Sequence, residues 1–127
     1  MERRAVRYLL DSVIVIDHLN GVAAATDFLI DHGPECAISV ITRAEVLTGF
    51  DLRTGLIVRE FLDAFHVLSI DAPVADLAAS LRRKEHWKLP DALQAALAMT
   101  HGLTLVTRNT RDFKSGKTLK VVVPYRG

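Results

Sequence analysis

The sequence predicts an α/β protein: a three-layer α/β/α sandwich around a mostly parallel sheet of about five strands. Three observations carry this expectation. Short apolar runs alternate with longer amphipathic ones along the chain. The intervals between apolar runs are long enough for the crossovers that parallel strands require, about a dozen residues each. No internal repeat, low-complexity tract or linker interrupts the pattern, so the 127 residues read as one domain spanning 1–127.

Val6, Tyr8, Leu9 and Leu10 form an apolar, strand-like run that stops at Asp11-Ser12. Val13-Ile14-Val15-Ile16 could extend a strand, while Asp17, His18 and Leu19 recover helical spacing with Val13 and Ile16. Gly21 punctuates, and Ala23, Phe28 and Leu29 continue an amphipathic helix to about His32, ended by Gly33-Pro34. Ala37 to Val40 reads as a second short buried strand. Ser39 or Thr42 can cap the next helix, which sets Ala44, Leu47 and Phe50 on one side and Arg43 and Asp51 on another; Gly55 is expected to break it. Ile57 to Ala64 is helical and Phe65 to Ile70 strand-like. Pro73, after Asp71, suits the first turn of a helix bearing Val74, Leu77, Ala78 and Leu81. Lys84 to Lys88 reads as a polar loop. Pro90 opens a helix rich in good helix formers, Ala92 to Met99, which Gly102 stops. Leu103 to Thr107 is the clearest strand, Arg108 to Lys117 a loop or short helix, and Leu119 to Val123 a last strand.

Half of the residues are hydrophobic, enough for a core without staples, and the single cysteine excludes an internal disulfide framework. Cys36 lies among Ala37, Ile38 and Val40, which suits packing rather than reactivity. The net charge of +1 gives no global field for nucleic acid. Basic residues do gather: Arg3, Arg4 and Arg7 before the first strand, and Arg82, Arg83, Lys84, Lys88, Arg108, Arg111, Lys114, Lys117 and Lys120 in the second half. Most read as solvated surface. The start is too quickly acidic for a secretory signal, and no apolar run approaches the ~20 residues of a membrane span, so a cytoplasmic protein that contacts no membrane is expected. The five histidines lack ligand-like spacing.

Four acids stand out by position. Asp11 ends the first strand, Glu45 lies in the first turn of the helix after the second, Asp91 opens the Ala-rich helix, and Asp112 follows the clearest strand by a short loop. Each has an ordinary explanation: Asp11 as an N-cap, Glu45 and Asp91 as charges favoured at helix starts, Asp112 as a turn acid. Jointly they say more. Strand ends and the helix starts that follow them share one edge of a parallel sheet, where ligand sites form. Carboxylates gathered there repel one another unless a cation sits among them. Oxygen donors without Cys or convergent His suit a hard ion, Mg²⁺ or Mn²⁺, and the usual work of such a site is phosphoryl chemistry. Ser12, Ser39, Thr42, Thr107 and Asn109 fall beside the same edge, placed either to orient the acids or to cap and turn the chain. Arg108 and Arg111 are candidates to hold flanking phosphates. Trp87 is placed either to stack an unpaired base or to pack at an interface with a partner.

In this order the residues resemble the PIN domain, and within it the VapC-type ribonuclease toxins of bacterial VapBC toxin–antitoxin pairs. The resemblance rests on Leu9-Leu10-Asp11-Ser12 with Val15-Ile16-Asp17-His18-Leu19, on Ile38 to Gly49 around Glu45, on Pro90-Asp91-Ala92-Leu93-Gln94-Ala95-Ala96, and on His101 to Phe113 around Asp112. It implies that Asp11, Glu45, Asp91 and Asp112 are the catalytic acids that bind the metal. Asp11 and Asp91 would be direct ligands; Glu45 and Asp112 would act directly or through water. Thr107 and Asn109 match the family's polar helpers. The resemblance further implies Mg²⁺- or Mn²⁺-dependent endoribonuclease activity on tRNA, rRNA or mRNA, a homodimer, and neutralisation by a cognate VapB-type antitoxin. One position departs from the pattern. Two residues after the first acid the family often has Asn, Ser or Thr, and this chain has Val13. The alternative is therefore a catalytically weak PIN-like module that serves mainly as an antitoxin-binding or scaffold protein. Val13 also argues against a haloacid-dehalogenase phosphatase, which needs a second Asp there. A phosphorelay receiver would need an acidic pair at the first strand's end and a later Lys, where this chain has Thr107-Arg108.

Overall fold

The computed structural model describes residues 5–113 and 119–126. The sequence readings that fall on Arg3, Arg4, Lys114 and Lys117 lie outside the described residues.

The chain begins in the middle of its own sheet. Strand β1 (Tyr8–Leu10) leads into helices α1 (Ser12–Leu19) and α2 (Ala23–His32) and a short 3₁₀ turn, Gly33–Glu35. Next come β2 (Cys36–Ser39), α3 (Val40–Thr48), α4 (Leu52–Asp63), β3 (His66–Leu68), α5 (Ala72–Glu85), α6 (Leu89–His101), β4 (Thr104–Val106) and β5 (Lys120–Val122). The sheet order is β3-β2-β1-β4-β5, with every neighbouring pair parallel. The chain thus steps outward from β1 to one edge, then returns to β1's other side through β4.

Alternation along the strands assigns the layers, since successive side chains point to opposite faces. Leu9, Ala37 and Leu105 pack with Val74, Ala78, Ala92, Ala95, Ala96 and Leu97 of α5 and α6 on one face. Leu10, Cys36, Ile38 and Val106 pack with Ile14, Val15, Val46, Val58 and Leu62 of α1, α3 and α4 on the other. That is the three-layer sandwich expected from the sequence. Because both faces are covered, the central strands read as continuous apolar runs.

Side-chain caps set the helix boundaries. The Asp71 carboxylate accepts the Val74 N–H of α5, and Gly102 ends α6 at φ +65°, a left-handed turn that suits glycine. Sequence readings change here at three places. Lys84 and Glu85 belong to α5, whose last turn His86 closes in a left-handed conformation, so the polar loop starts only there. Val13 to Ile16 belong to a helix, because Asp11 caps it as soon as β1 ends. Gly55 does not break a helix; it lies inside α4. The break comes earlier, between Thr48 and Leu52, where the Asp51 carboxylate accepts the N–H groups of Arg53 and Thr54 and starts a new helix. A glycine inside a helix costs only about 1 kcal/mol, which burial of Val58 and Leu62 outweighs.

Leu9 is fully buried on the central strand, so Leu9→Ala is expected to lower stability by about 2–5 kcal/mol. A urea midpoint shift at constant m-value measures it. Leu52→Ala, at a side chain 81% exposed, should change stability by less than about 0.5 kcal/mol.

Candidate active site

The strand order reverses between β1 and β4, and the crevice beyond their carboxyl ends is where doubly wound sheets place ligands. Asp11 is the first residue past β1. Its N–H donates to the Val106 carbonyl at 2.8 Å, continuing the ladder one step. Its carboxylate then bridges the crevice: Oδ1 accepts the Ser12 N–H at 2.9 Å and Oδ2 accepts the Thr107 hydroxyl at 2.6 Å. Thr107, buried just past β4, itself accepts the Asn109 N–H at 2.9 Å, which leaves its own proton for Asp11. Asp11 is therefore both the helix cap and a member of the site.

Glu45 comes from α3, but from its second turn rather than the first expected from the sequence, because Ser39 caps the helix and α3 already starts at Val40. Ser39 caps that helix by accepting the Thr42 N–H at 3.0 Å. Thr42 Oγ1 lies 2.9 Å from Ser12 Oγ, and the Ser12 hydroxyl donates to Glu45 Oε1 at 2.6 Å. For Ser39 the capping reading holds; Thr42 ties α3 to α1. Asp112 is clasped by Asn109: Asn109 Nδ2 donates to its Oδ2 at 3.0 Å, and the Asp112 N–H returns to Asn109 Oδ1 at 3.2 Å. The Trp87 indole N–H donates to the Asp112 carbonyl at 3.0 Å, and its ring meets the buried Phe113 edge-on at 5.3 Å. Trp87 is thus half-buried packing within the chain, which accounts for it without a base or a partner.

Asp91 lies in the first turn of α6. Burial raises its carboxyl above the ordinary range, and repulsion from Asp11, Asp112 and Glu45 pushes further, with Lys88 offsetting part. Burial likewise raises Asp11, against hydrogen bonds from Thr107 and Ser12, and Glu45 adds to the rise. The sequence-predicted acids therefore act on one another as electrostatic neighbours.

The donor set suits a hard divalent ion: carboxylates and hydroxyls, without thiol or imidazole. Among the described residues no three His, Cys, Asp or Glu side chains already close into a cage. An ion here would take one or two carboxylates, Asp91 and Asp11 by position, and complete its shell with water, as Mg²⁺ commonly does.

The site holds a residue that sequence reasoning missed. Gln94, one turn beyond Asp91 on α6, is buried and donates through Nε2 to Thr42 Oγ1 at 2.7 Å. The available signal was an amide within an otherwise apolar, Ala-rich stretch. Arg108, expected near phosphates, is committed elsewhere: its guanidinium forks onto Asp17 at 2.7 and 3.1 Å, and the Tyr125 hydroxyl joins at 2.8 Å. Arg111 stays exposed on the turn before Asp112. Burial, then the Glu35 carboxylate, pushes the Cys36 thiol up to about 12, so it remains a packed thiol.

The family model for the PIN domain matches residues 8–117, and the chain belongs to the PIN domain family. Within that family it is similar to VapC proteins. It is 35% identical over 120 residues to Ribonuclease VapC10 of Mycobacterium tuberculosis, covering 88% of this chain and 90% of that protein. Ribonuclease VapC19 of the same organism is 31% identical over 113 residues, covering 83% and 90%. A toxin–antitoxin complex from Klebsiella pneumoniae has a chain that superposes with a TM-score of 0.85 at 37% identity, covering 94% of this chain and 98% of that one.

The raised Asp91 carboxyl fixes a pH dependence. The folded state holds a proton that the unfolded state has released, so between pH 3.8 and the raised value stability falls as pH rises. In EDTA, Asp91→Asn is expected to make that fall shallower, read from melting temperatures between pH 4 and 7. An unchanged slope would show that folding does not raise the Asp91 carboxyl.

Proposed function

We propose that this protein is a divalent-metal-dependent endoribonuclease that acts as the toxin of a toxin–antitoxin pair. The observation that carries this reading is the hydrogen-bonded set at the strand-order switch, Thr107 to Asp11 and Ser12 to Glu45, with Asp91 raised by burial and by the charges of Asp11, Asp112 and Glu45. Membership of the PIN domain family and likeness to named ribonucleases support it.

A bound Mg²⁺ or Mn²⁺ would supply a water of lowered pKa and neutralise charge on the phosphate. The chain's own residues do the rest. Asp11 and Asp91 would hold the ion. Ser12 keeps one Glu45 oxygen occupied, so the other is left to orient a water for in-line attack on an RNA phosphodiester. Asn109 fixes the Asp112 carboxylate at the opposite rim. Arg111, which is exposed, would be a cation for a flanking phosphate; Arg108 would first have to release Asp17.

An apolar surface supports the partner half of the proposal. Leu52, Leu56 and Ile57 of α4 are 81%, 60% and 72% exposed. Beside them a hollow of about 570 Å³ is lined by Leu47, Phe50, Leu52 and Arg59. An apolar face of this kind suits a docked peptide segment, here that of a VapB-type antitoxin.

Incubation of the purified protein with total RNA tests the chemistry. Cleavage should appear with Mg²⁺ or Mn²⁺, stop in EDTA, and fall by roughly two orders of magnitude or more in Asp11→Asn and in Asp91→Asn with folding retained. Cleavage that survives both substitutions would sink the proposal. A folded protein that binds its antitoxin but never cleaves would be the weak module instead.

A further inference from the structure

A chain of hydrogen bonds runs from α6 to Glu45, and its direction is fixed by counting protons. Gln94 Nε2 only donates, so Thr42 Oγ1 is the acceptor at 2.7 Å. The single Ser12 proton goes to Glu45 Oε1 at 2.6 Å. The 2.9 Å bond between the hydroxyls must therefore run from Thr42 to Ser12. Turning the Gln94 amide over would take Thr42's proton and leave Ser12 and Thr42 facing each other with none between them. Gln94, Thr42 and Ser12 are all buried. Among the described residues Gln94 Oε1 has no partner, a costly arrangement for a buried carbonyl. Thr42 and Gln94 thus join three helices, α1, α3 and α6, at the acid cluster, and the Gln94 amide also hydrogen-bonds the Asp11 carboxylate and favours its charged form.

We propose that Gln94 is a positioning residue: through Thr42 and Ser12 it holds Glu45 toward Asp11 and Asp91. The inference rests on the nuclease reading. Glu45 is exposed and repelled by the other acids, so something has to keep it at the rim. A lysine or arginine in place of Gln94 would do so by cancelling the charge that draws a cation. A neutral amide acting through two hydroxyls restrains the carboxylate and leaves its charge in place.

The test uses the full chain with Gln94→Met, Thr42→Val, their double variant and Thr42→Ser. Three quantities are measured: kcat and KM on RNA, Mn²⁺ affinity of the RNA-free protein by calorimetry, and melting temperature in EDTA. Gln94→Met and Thr42→Val should each lower kcat and Mn²⁺ affinity about 10-fold with KM nearly unchanged. The double variant should be no worse than Gln94→Met alone, which also loses the Asp11 contact, and Thr42→Ser, which keeps the hydroxyl, should stay within about 2-fold of wild type. Unchanged kcat and Mn²⁺ affinity in the single variants would overturn the proposal, as would losses that multiply in the double variant or a Thr42→Ser as impaired as Thr42→Val. Should Gln94→Met fail to fold, the Thr42→Val and Thr42→Ser pair decides. Wild-type protein that never cleaves RNA, with Mn²⁺ affinity still falling in these variants, would fail the nuclease reading and leave the relay standing.

Discussion

One hydrogen bond across the strand-order switch, from the Thr107 hydroxyl to Asp11 Oδ2, joins the two halves of the site. Beyond Leu10 and Val106 the paired strands end; Ile14 and Val15 after β1 pack on one face of the sheet, and Phe113 after β4 packs on the other. The crevice opens there, and a charge entering it has to be stabilised from both walls. Thr107 does this from the β4 side and the Ser12 N–H from the β1 side. Most of the strands are only three residues long, so whatever follows a strand emerges at once at the rim. A small sheet of this kind builds its site from strand ends and the first turns of helices, where caps and acids occupy the same positions. That is why the capping and functional readings of Asp11 are both true.

Much of this could be read in the sequence, and for identifiable reasons. Strand runs such as Leu9-Leu10 and Leu105-Val106 are short and apolar on both faces, which is how a covered parallel strand has to look. The acids were legible because each sits at a strand end or helix start, and those positions share an edge in any doubly wound sheet. What escaped depended on contacts between distant segments. Gln94 meets Thr42 across 52 residues of sequence. Arg108 meets Asp17 across 91, so its cationic character alone suggested a phosphate. At Gly55 the reason is local: glycine is a weak breaker, and the Asp51 cap, which offers two hydrogen bonds to the start of α4, outweighs it. Val13 to Ile16 could not be assigned from period alone, because a short apolar run fits a buried helix as well as a strand.

The acids of this protein fall into two kinds, and the difference separates structure from chemistry. Asp17 is matched with a guanidinium fork and a phenol, and the Arg108 contact holds its carboxyl below the usual range. Asp63 and Glu35 likewise meet Arg43 and Arg7. The acids at the crevice are held by uncharged donors instead: Thr107, Ser12, Asn109 and backbone N–H groups. Among the described residues Asp91 has the partial relief of Lys88 against three like charges. A fold selected for stability alone would place arginines there as it does at Asp17. Uncharged donors orient carboxylates without neutralising them, so the cluster keeps its demand for a cation from outside. The repulsion costs stability in the metal-free chain, and the sandwich offsets it by burying apolar side chains on both faces of the sheet.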